Sequence, residues 1–324
     1  MPAIGLLGDV MLGRSVGDRL RELPAAQLWS DEMRSLCASL DLVVCNLECC
    51  VSERGERTRR IPGKPFFFRA PPSAITALRA IGVRAVSLAN NHALDYEEEA
   101  LADTLELLRD AEIAAAGAGP GTDEAGRPAV VEAAGRRVGL LCVSDHPREY
   151  AARNRSYGIA HADFHRGAPE WLLDQLAQLR AQCDLTIAFP HWGPNMSPAP
   201  ARWQRRAAAA LQAAGADLVA GHSAHVFHGV EWSERGPVLS DLGDAVDDYR
   251  VDPELRNDLG VLAIWRLDGE EELELVGLKL DFCFTGLAKG ADAEWIAARL
   301  EGACAKLGTG VERLAEERFR VRPR

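Results

Sequence analysis

Residues 4–9 read Ile-Gly-Leu-Leu-Gly-Asp, a short apolar run that ends in a glycine and a carboxylate. Apolar runs of this length, separated by helical stretches, are typical of an α/β protein. Similar runs occur at Leu42–Leu47, Ala85–Ala89, Val138–Val143, Leu185–Phe189 and Leu218–Ala220. Helix-like periodicity occurs near residues 72–81, 97–110, 168–182, 201–214 and 291–305. This alternation predicts an α/β fold. The apolar runs 261–267 and 273–284, which follow the alternating segments in the chain, predict antiparallel strands.

Polar side chains that can bind a metal ion follow five of these runs. They are Asp9, Glu48, Asn91, His191, and the pair His222 and His225. In open α/β sheets, ligands bind beyond the carboxyl ends of the strands, so we expect these side chains to converge. Carboxylate, amide and imidazole ligands without thiolate suit Mn²⁺, Fe²⁺, Zn²⁺ or Mg²⁺. We therefore predict one or two divalent ions, with Glu48 as the candidate bridging carboxylate of a two-ion site.

His92 follows the candidate ligand Asn91 and is predicted to be the general acid that protonates a leaving oxygen. Asp95 has two interpretations. The segment Asp95-Tyr96-Glu97-Glu98 resembles a capping box at the start of the helix predicted over residues 97–110. Alternatively, Asp95 orients His92 by a hydrogen bond. The remaining histidines outside the candidate ligands, at 146, 161, 165 and 228, are interpreted as surface or rim residues.

A basic segment follows Glu48 and contains Arg54, Arg57, Arg59, Arg60, Lys64 and Arg69. Such a run is usually a solvated loop. Its place after a candidate ligand suggests that Arg59 and Arg60, with Arg14, bind phosphate or carboxylate groups of the substrate. The predicted partner is an anionic small molecule, peptide or polymer.

Composition restricts the classes of partner that the protein can bind and the cellular compartment that we expect for it. A net charge of −11 disfavours nucleic acid, and no apolar run is long enough for membrane insertion. The N-terminal residues lack the basic region of a signal peptide. The eight cysteines lie mainly in apolar segments without zinc-ribbon spacing, which favours reduced, buried thiols. We therefore expect a cytoplasmic protein.

Ordered motifs in this chain resemble those of the CapA family, which is named for capsule and poly-γ-glutamate synthesis. They are Gly8-Asp9-Val10-Met11-Leu12-Gly13-Arg14, Asn46-Leu47-Glu48, Leu88 to Tyr96, His191-Trp192-Gly193, Gly221 to His225, and Leu242-Gly243-Asp244 with Asp247-Asp248-Tyr249. That family is similar to calcineurin-like metallophosphoesterases. The resemblance implies a four-layer α/β/β/α sandwich with Asn91 as a metal ligand and His92 as the acid. Asp244, in the closing motif, is assigned to substrate binding.

Two departures from the metallophosphoesterase pattern leave the number of ions open. Those enzymes begin Asp-x-His, whereas Asp9 is followed by Val10 and Met11. Their bridging aspartate is replaced by the longer Glu48. A single-ion enzyme is therefore an alternative.

Three functions fit these expectations. The first is metal-dependent hydrolysis of a phosphoester or a related acyl or γ-glutamyl substrate, linked to polymer synthesis. The second is peptide epimerisation by proton abstraction α to a carbonyl, and the third is a non-catalytic partner of a polymer synthase. We expect one domain over residues 1–324, with the motifs in residues 5–260 and with strands and helices of residues 261–324 completing the sandwich.

Overall fold

The computed structural model describes residues 3–267 and 272–324. The α-helices of this described part are α1 (Arg14–Glu22), α2 (Asp31–Ala38), α3 (Ala74–Ala80), α4 (Glu97–Asp110), α5 (Thr122–Ala125), α6 (Glu170–Gln182), α7 (Arg202–Ala214) and α8 (Ala291–Lys306). Short 3₁₀ helices span Ala25–Leu28 and Arg148–Tyr150. None of the described helices combines the length and the apolarity needed to cross a bilayer.

The first half of the described chain supplies the strands β1 (Ala3–Val10), β2 (Leu42–Leu47), β3 (Cys50–Val51), β4 (Arg69–Ala70), β5 (Val83–Ser87), β6 (Ala114–Ala116), β7 (Ala118–Gly119), β8 (Ala129–Ala133), β9 (Arg136–Ser144) and β10 (Gly158–Ile159). The second half supplies β11 (Leu185–His191), β12 (Leu218–Ala220), β13 (Val230–Ser233), β14 (Gly236–Leu239), β15 (Asp244–Val246), β16 (Leu259–Arg266), β17 (Glu272–Asp281), β18 (Phe284–Leu287), β19 (Thr309–Arg313) and β20 (Arg318–Pro323).

Two large sheets contain most of these strands, and β3 with β4 and β7 with β10 form two-stranded sheets. The first has the order β19-β20-β17-β16-β1-β2-β5-β6, with β15 beside β1 and β18 beside β17. The second has the order β13-β14-β12-β11-β9-β8. Neighbours among β1, β2, β5 and β6 are parallel, as are neighbours among β9, β11, β12 and β14. Each sheet therefore gathers the carboxyl ends of its parallel strands at one edge.

Apolar side chains form three core clusters, one between the sheets and one on the helical side of each sheet. The central cluster joins residues of both sheets, such as Val44 of β2 and Ile187 of β11. A second cluster packs Leu101 of α4 and other helical residues on the first sheet. A third packs Leu176 of α6 and Leu211 of α7 on the second sheet. The predicted α/β class is confirmed, and these clusters support the four-layer arrangement, which stays a prediction.

Each strand predicted from an apolar run is present, and the C-terminal strands β16 and β17 are antiparallel as expected. The run 273–284 is divided, because Cys283 turns the chain with a φ of 59° between β17 and β18. Helices α1, α2 and α5 were not predicted, because each has nine residues or fewer and spans too few turns to show a clear period. The C-terminal strands continue the sheet of β1, and the single domain stays a prediction. All eight cysteines are buried and free, as expected.

A close approach between β1 and the turn before β15 requires glycine at position 8. A Cβ atom there would lie 1.9 Å from the backbone oxygen of Gly243. The amide of Asp9 donates to the same oxygen at 3.1 Å, so this contact also fixes Asp9.

We expect Gly8→Ala to lower the free energy of unfolding by about 1–3 kcal/mol, because β1 must move away from Gly243. Urea denaturation measures the change. Gly302→Ala is the matched control, since a Cβ on Gly302 of α8 meets no atom within 4 Å and alanine should stabilise the helix by up to about 1 kcal/mol. Equal effects of the two substitutions would contradict the steric account.

Candidate metal centre

The carboxyl ends of both sheets meet at the candidate site. In the first sheet, Asp9 near the end of β1 is in register with Asn46 of β2 and Asp244 of β15. In the second, His191 ends β11 and forms a parallel bridge with His222, which follows β12. The predicted convergence of strand ends is therefore present in the structure, and it joins residues far apart in the chain.

Asp9, His191 and His222 form a first group that can hold an ion, and all three are buried. The Nδ1 atoms of the two histidines are 2.8 Å apart, and they lie 3.8 Å and 3.3 Å from Asp9 Oδ1. Ligand atoms around a tetrahedral zinc ion are roughly 3.4 Å apart for bonds of about 2.1 Å. The spacing of these three atoms is thus of the order that one ion requires.

Asp9, Glu48 and His225 form a second such group, also buried. His225 Nδ1 lies 3.4 Å from Asp9 Oδ2 and 2.8 Å from Asp244 Oδ1. The Tyr249 hydroxyl donates to Glu48 Oε2 at 3.0 Å. The two groups therefore share Asp9, with one carboxylate oxygen near each, whereas Glu48 belongs to one group only.

Asp9 is held in place by hydrogen bonds at both oxygens. Asn46 Nδ2 donates to Oδ1 at 2.7 Å, and the Ser223 amide donates to Oδ2 at 3.1 Å. Asn90 in turn donates to Asn46 Oδ1 at 3.0 Å. Burial acts to raise the pKa of Asp9, but the hydrogen bond and charge of His222, with the charge of His225, hold it below its usual value.

The site contains more buried carboxyl groups than its own residues can keep in the charged form. Burial, followed by repulsion from Asp9, raises the pKa of Glu48 well above its usual value. Burial likewise raises the pKa of Asp241 and, with repulsion from Asp247, that of Asp244. A divalent cation beside these groups would favour their charged forms. The electrostatics therefore fit a cation site.

Several buried polar atoms at the site have no hydrogen-bond partner among the described residues. They are Glu48 Oε1, Asn91 Oδ1, His191 Nε2, His222 Nε2 and Asp244 Oδ2. Leaving a buried polar atom unsatisfied costs about 1–3 kcal/mol. A bound ion and the water or substrate that it brings would satisfy the oxygen atoms of this set. The free Oδ1 atom fits the predicted role of Asn91 as a ligand.

His92 is held rigidly beside the candidate centre. Its Nδ1 lies 2.6 Å from Asp95 Oδ2, and its ring stacks on Phe68 with centroids 3.7 Å apart. Asp95 also accepts hydrogen bonds from the Phe68 amide at 2.7 Å and from the Tyr150 hydroxyl at 3.0 Å, and it pairs with Lys64 Nζ at 3.1 Å. Asp95 therefore orients His92. The capping interpretation is wrong, because Tyr96 is the N-cap of α4 and no side chain caps the helix.

The residues predicted to bind substrate are dispersed. Arg14 lines a cavity that His92 and His225 also line. Arg60 instead pairs with Glu97 and Glu98, each at 2.9 Å, and the exposed Arg59 is not among the residues that line this cavity. Asp244 is buried behind His225 and contacts its Nδ1 atom. Of the four predicted residues, only Arg14 is thus placed to touch a substrate in this cavity.

His146 was predicted to be a surface residue, but it lies next to the candidate centre. Its ring centroid is 5.1 Å from that of His191, and its Nδ1 hydrogen-bonds to Asp145. Asp145 Oδ2 accepts the Gly193 amide at 3.0 Å. The signal was present in the sequence, because Asp145 and His146 follow the run Val138–Val143 just as His191 follows its own. His228, predicted to be at the rim, is buried with Nε2 2.8 Å from the Ser197 oxygen.

The fold and site define an α/β protein with a candidate centre for divalent ions. The family described as "Bacterial capsule synthesis protein PGA_cap" matches residues 3–249. The chain therefore belongs to this family, and the resemblance to CapA proteins is confirmed.

Two curated relatives are similar over most of the chain. A "Probable polyglutamine synthesis accessory protein" of Mycobacterium tuberculosis is 30% identical over 285 residues, which cover 84% of this chain and 74% of the relative. The "PGA biosynthesis protein CapA" of Bacillus subtilis is 25% identical over 244 residues, covering 75% of this chain and 62% of that protein.

Two solved structures are also similar. A hypothetical protein from Thermus thermophilus has a TM-score of 0.45 at 18% identity. The match covers 87% of this chain and 95% of the Thermus chain. A 5'-nucleotidase from Candida albicans has a TM-score of 0.47 at 11% identity. The match covers 95% of this chain and 57% of the nucleotidase chain.

The sharing of Asp9 can be tested by metal binding. We expect Asp9→Asn to weaken Mn²⁺ or Zn²⁺ binding at both groups, because each loses a carboxylate oxygen with a full charge. Glu48→Gln and His191→Ala should each weaken binding at one group only. Titration of metal-free protein, with elemental analysis of the loaded protein, measures the number of ions and their affinities.

The matched control is Asp174→Asn, which changes the same functional group on the exposed surface of α6. It should bind metal as the wild type does. Wild-type binding by Asp9→Asn would show that Asp9 is not a shared ligand.

Proposed function

We propose that this protein is a metal-dependent hydrolase that acts on a phosphoester or on a related acyl or γ-glutamyl bond. The observation that carries the proposal is Asp9, whose two carboxylate oxygens face two different groups able to hold an ion. Two ions about 3.5–4 Å apart suit hydrolysis at a tetrahedral centre. A single ion at either group remains compatible with the same class of reaction.

Bound divalent ions would supply an acidified water and would neutralise charge that develops on the substrate. The proposed ligands are Asp9, Glu48, Asn91, His191, His222 and His225. The protein's own contribution is to fix these ligands before substrate arrives. Hydrogen bonds from Asn46 and Ser223 fix Asp9, and Tyr249 fixes Glu48.

His92 is proposed to protonate the leaving group. Because Asp95 occupies Nδ1, the transferred proton must be carried by Nε2. Burial lowers the pKa of His92 to about 4, with opposition from the charge of Asp95. The imidazole is therefore neutral in the free protein at pH 7, and negative charge on a bound substrate would raise its pKa toward the protonated form.

The role in the cell is proposed from the relatives. One is named as a PGA biosynthesis protein and another as a probable accessory protein of polyglutamine synthesis. We propose that the hydrolase acts on a product or intermediate of such a polymer pathway.

We expect His92→Ala to reduce kcat by a factor of about 10²–10⁴, because general acid catalysis is lost. The metal content should stay at the wild-type value, since His92 belongs to neither group. The assay is a panel of phosphomonoesters, phosphodiesters and γ-glutamyl amides with metal-loaded protein. His165→Ala, at an exposed position, is the control and should retain full activity.

Two results would count against this role for His92. Loss of metal from His92→Ala would make it a ligand, and unchanged turnover would leave it without a part in the reaction. Absence of turnover by the loaded wild type on the whole panel, with stable binding to a polymer synthase, would favour a non-catalytic accessory role.

Peptide epimerisation is a second candidate, favoured by two observations. A neutral His92 can accept a proton at pH 7, and His146 with Asp145 provides another imidazole–carboxylate pair near His191. Proton removal and return on a carbon α to a carbonyl needs such groups. Deuterium incorporation from D₂O into recovered peptide, without cleavage, would support epimerisation, and cleavage without deuterium would exclude it.

A further inference from the structure

We propose that the cavity beside the candidate centre binds a small organic anion, and that Arg250 recognises its carboxylate or phosphoryl group. This inference rests on the proposed function, because the anion is taken to be the substrate of the proposed hydrolase. The cavity has a volume of about 290 Å³, and His92 and His225 form part of its wall. A ligand in the cavity therefore lies directly against the proposed acid His92 and the proposed metal ligand His225.

The volume is that of an organic molecule. A water molecule in the liquid occupies about 30 Å³, so the cavity holds roughly ten waters, far more than inorganic phosphate displaces. Pockets for small organic ligands begin near about 300 Å³. The wall also includes the aromatic side chains of Phe66, Phe68 and Tyr249. The cavity thus fits a ligand with an apolar segment.

The two arginines of the wall differ in whether a carboxylate of the protein pairs with them. Arg14 is already compensated, because its guanidinium pairs with Asp248 at 3.3 Å and lies over the rings of Phe66 and Phe68, each with 5.6 Å to the centroid. Arg250 is exposed, and its side chain has no ion pair within residues 3–267 and 272–324. Arg250 is therefore the uncompensated cation at this cavity.

A guanidinium binds carboxylate and phosphoryl groups through two parallel hydrogen bonds, so a free arginine on the wall selects for an anion. Phe66 is 56% exposed and provides apolar surface to the rest of the ligand. An exposed phenylalanine in the same wall as an uncompensated arginine favours an organic anion over either a neutral molecule or an inorganic ion. Arg59, predicted from sequence to bind substrate, is outside this wall.

The test is calorimetric binding to metal-loaded protein, with four probes. A glutamate tripeptide and phenyl phosphate each combine an anion with a carbon skeleton, and they distinguish carboxylate from phosphoryl recognition. A C-terminally amidated glutamine tripeptide carries no carboxylate, and inorganic phosphate lacks the apolar part. We expect one or both of the organic anions to bind more tightly than both comparison probes.

Three variants assign the binding to the cavity. Arg250→Gln should weaken binding of the organic anion about tenfold or more, because a charge-assisted bidentate contact is lost. Phe66→Ala should weaken it several-fold without changing the weak binding of inorganic phosphate. Arg59→Gln is the matched control, an exposed arginine off the cavity wall, and should bind as the wild type does.

The inference is overturned if no probe binds, if inorganic phosphate binds as tightly as the organic anions, or if Arg250→Gln behaves like Arg59→Gln. Failure of the proposed function has a different signature. Binding that depends on Arg250 but is never followed by turnover would refute the hydrolase and retain the anion site. Turnover with an unchanged KM in Arg250→Gln would refute the anion site and retain the hydrolase.

Discussion

The burial of the Asp9 carboxylate between two sheets is the constraint on which the site depends. Its oxygens lie near His191 and His222 on one side and near His225 on the other. Burying a carboxylate among further carboxylates is costly unless cations compensate it. The fold concentrates negative charge where its parallel strands end, and this arrangement is understandable if divalent ions occupy the groups that share Asp9.

The rest of the site is built around fixed side chains. His92 has little freedom, because Asp95 holds one nitrogen and Phe68 stacks on the ring, while Lys64 and Tyr150 hold Asp95. The turn after β12 is strained, since Ser223 and His225 have positive φ values of 112° and 60°. Strain of this kind, which costs about 1–3 kcal/mol per residue, is often found at functional sites. Both features indicate a site that is organised before a ligand binds.

Sequence reasoning found the strand ends because its signals are local. The apolar run of β1 and the polar residue that follows it are adjacent in the chain, and the rule about carboxyl ends then places Asp9 at the end of one sheet and His191 and His222 at the end of the other. His146 could have been found by the same rule. The division of Asp9 between two groups could not, because it depends on how the two sheets pack. The contact of Tyr150 with Asp95, between residues 55 positions apart, likewise follows from tertiary packing.

The most direct test of the shared carboxylate is a crystal structure of the protein loaded with Mn²⁺ or Zn²⁺, with the ions located by anomalous diffraction. The account predicts two peaks about 3.5–4 Å apart, one near Oδ1 of Asp9 with His191 and His222, and one near Oδ2 with Glu48 and His225. A single peak beside either group would reduce the centre to one ion. Ions bound elsewhere, with Asp9 contacting none of them, would contradict the account.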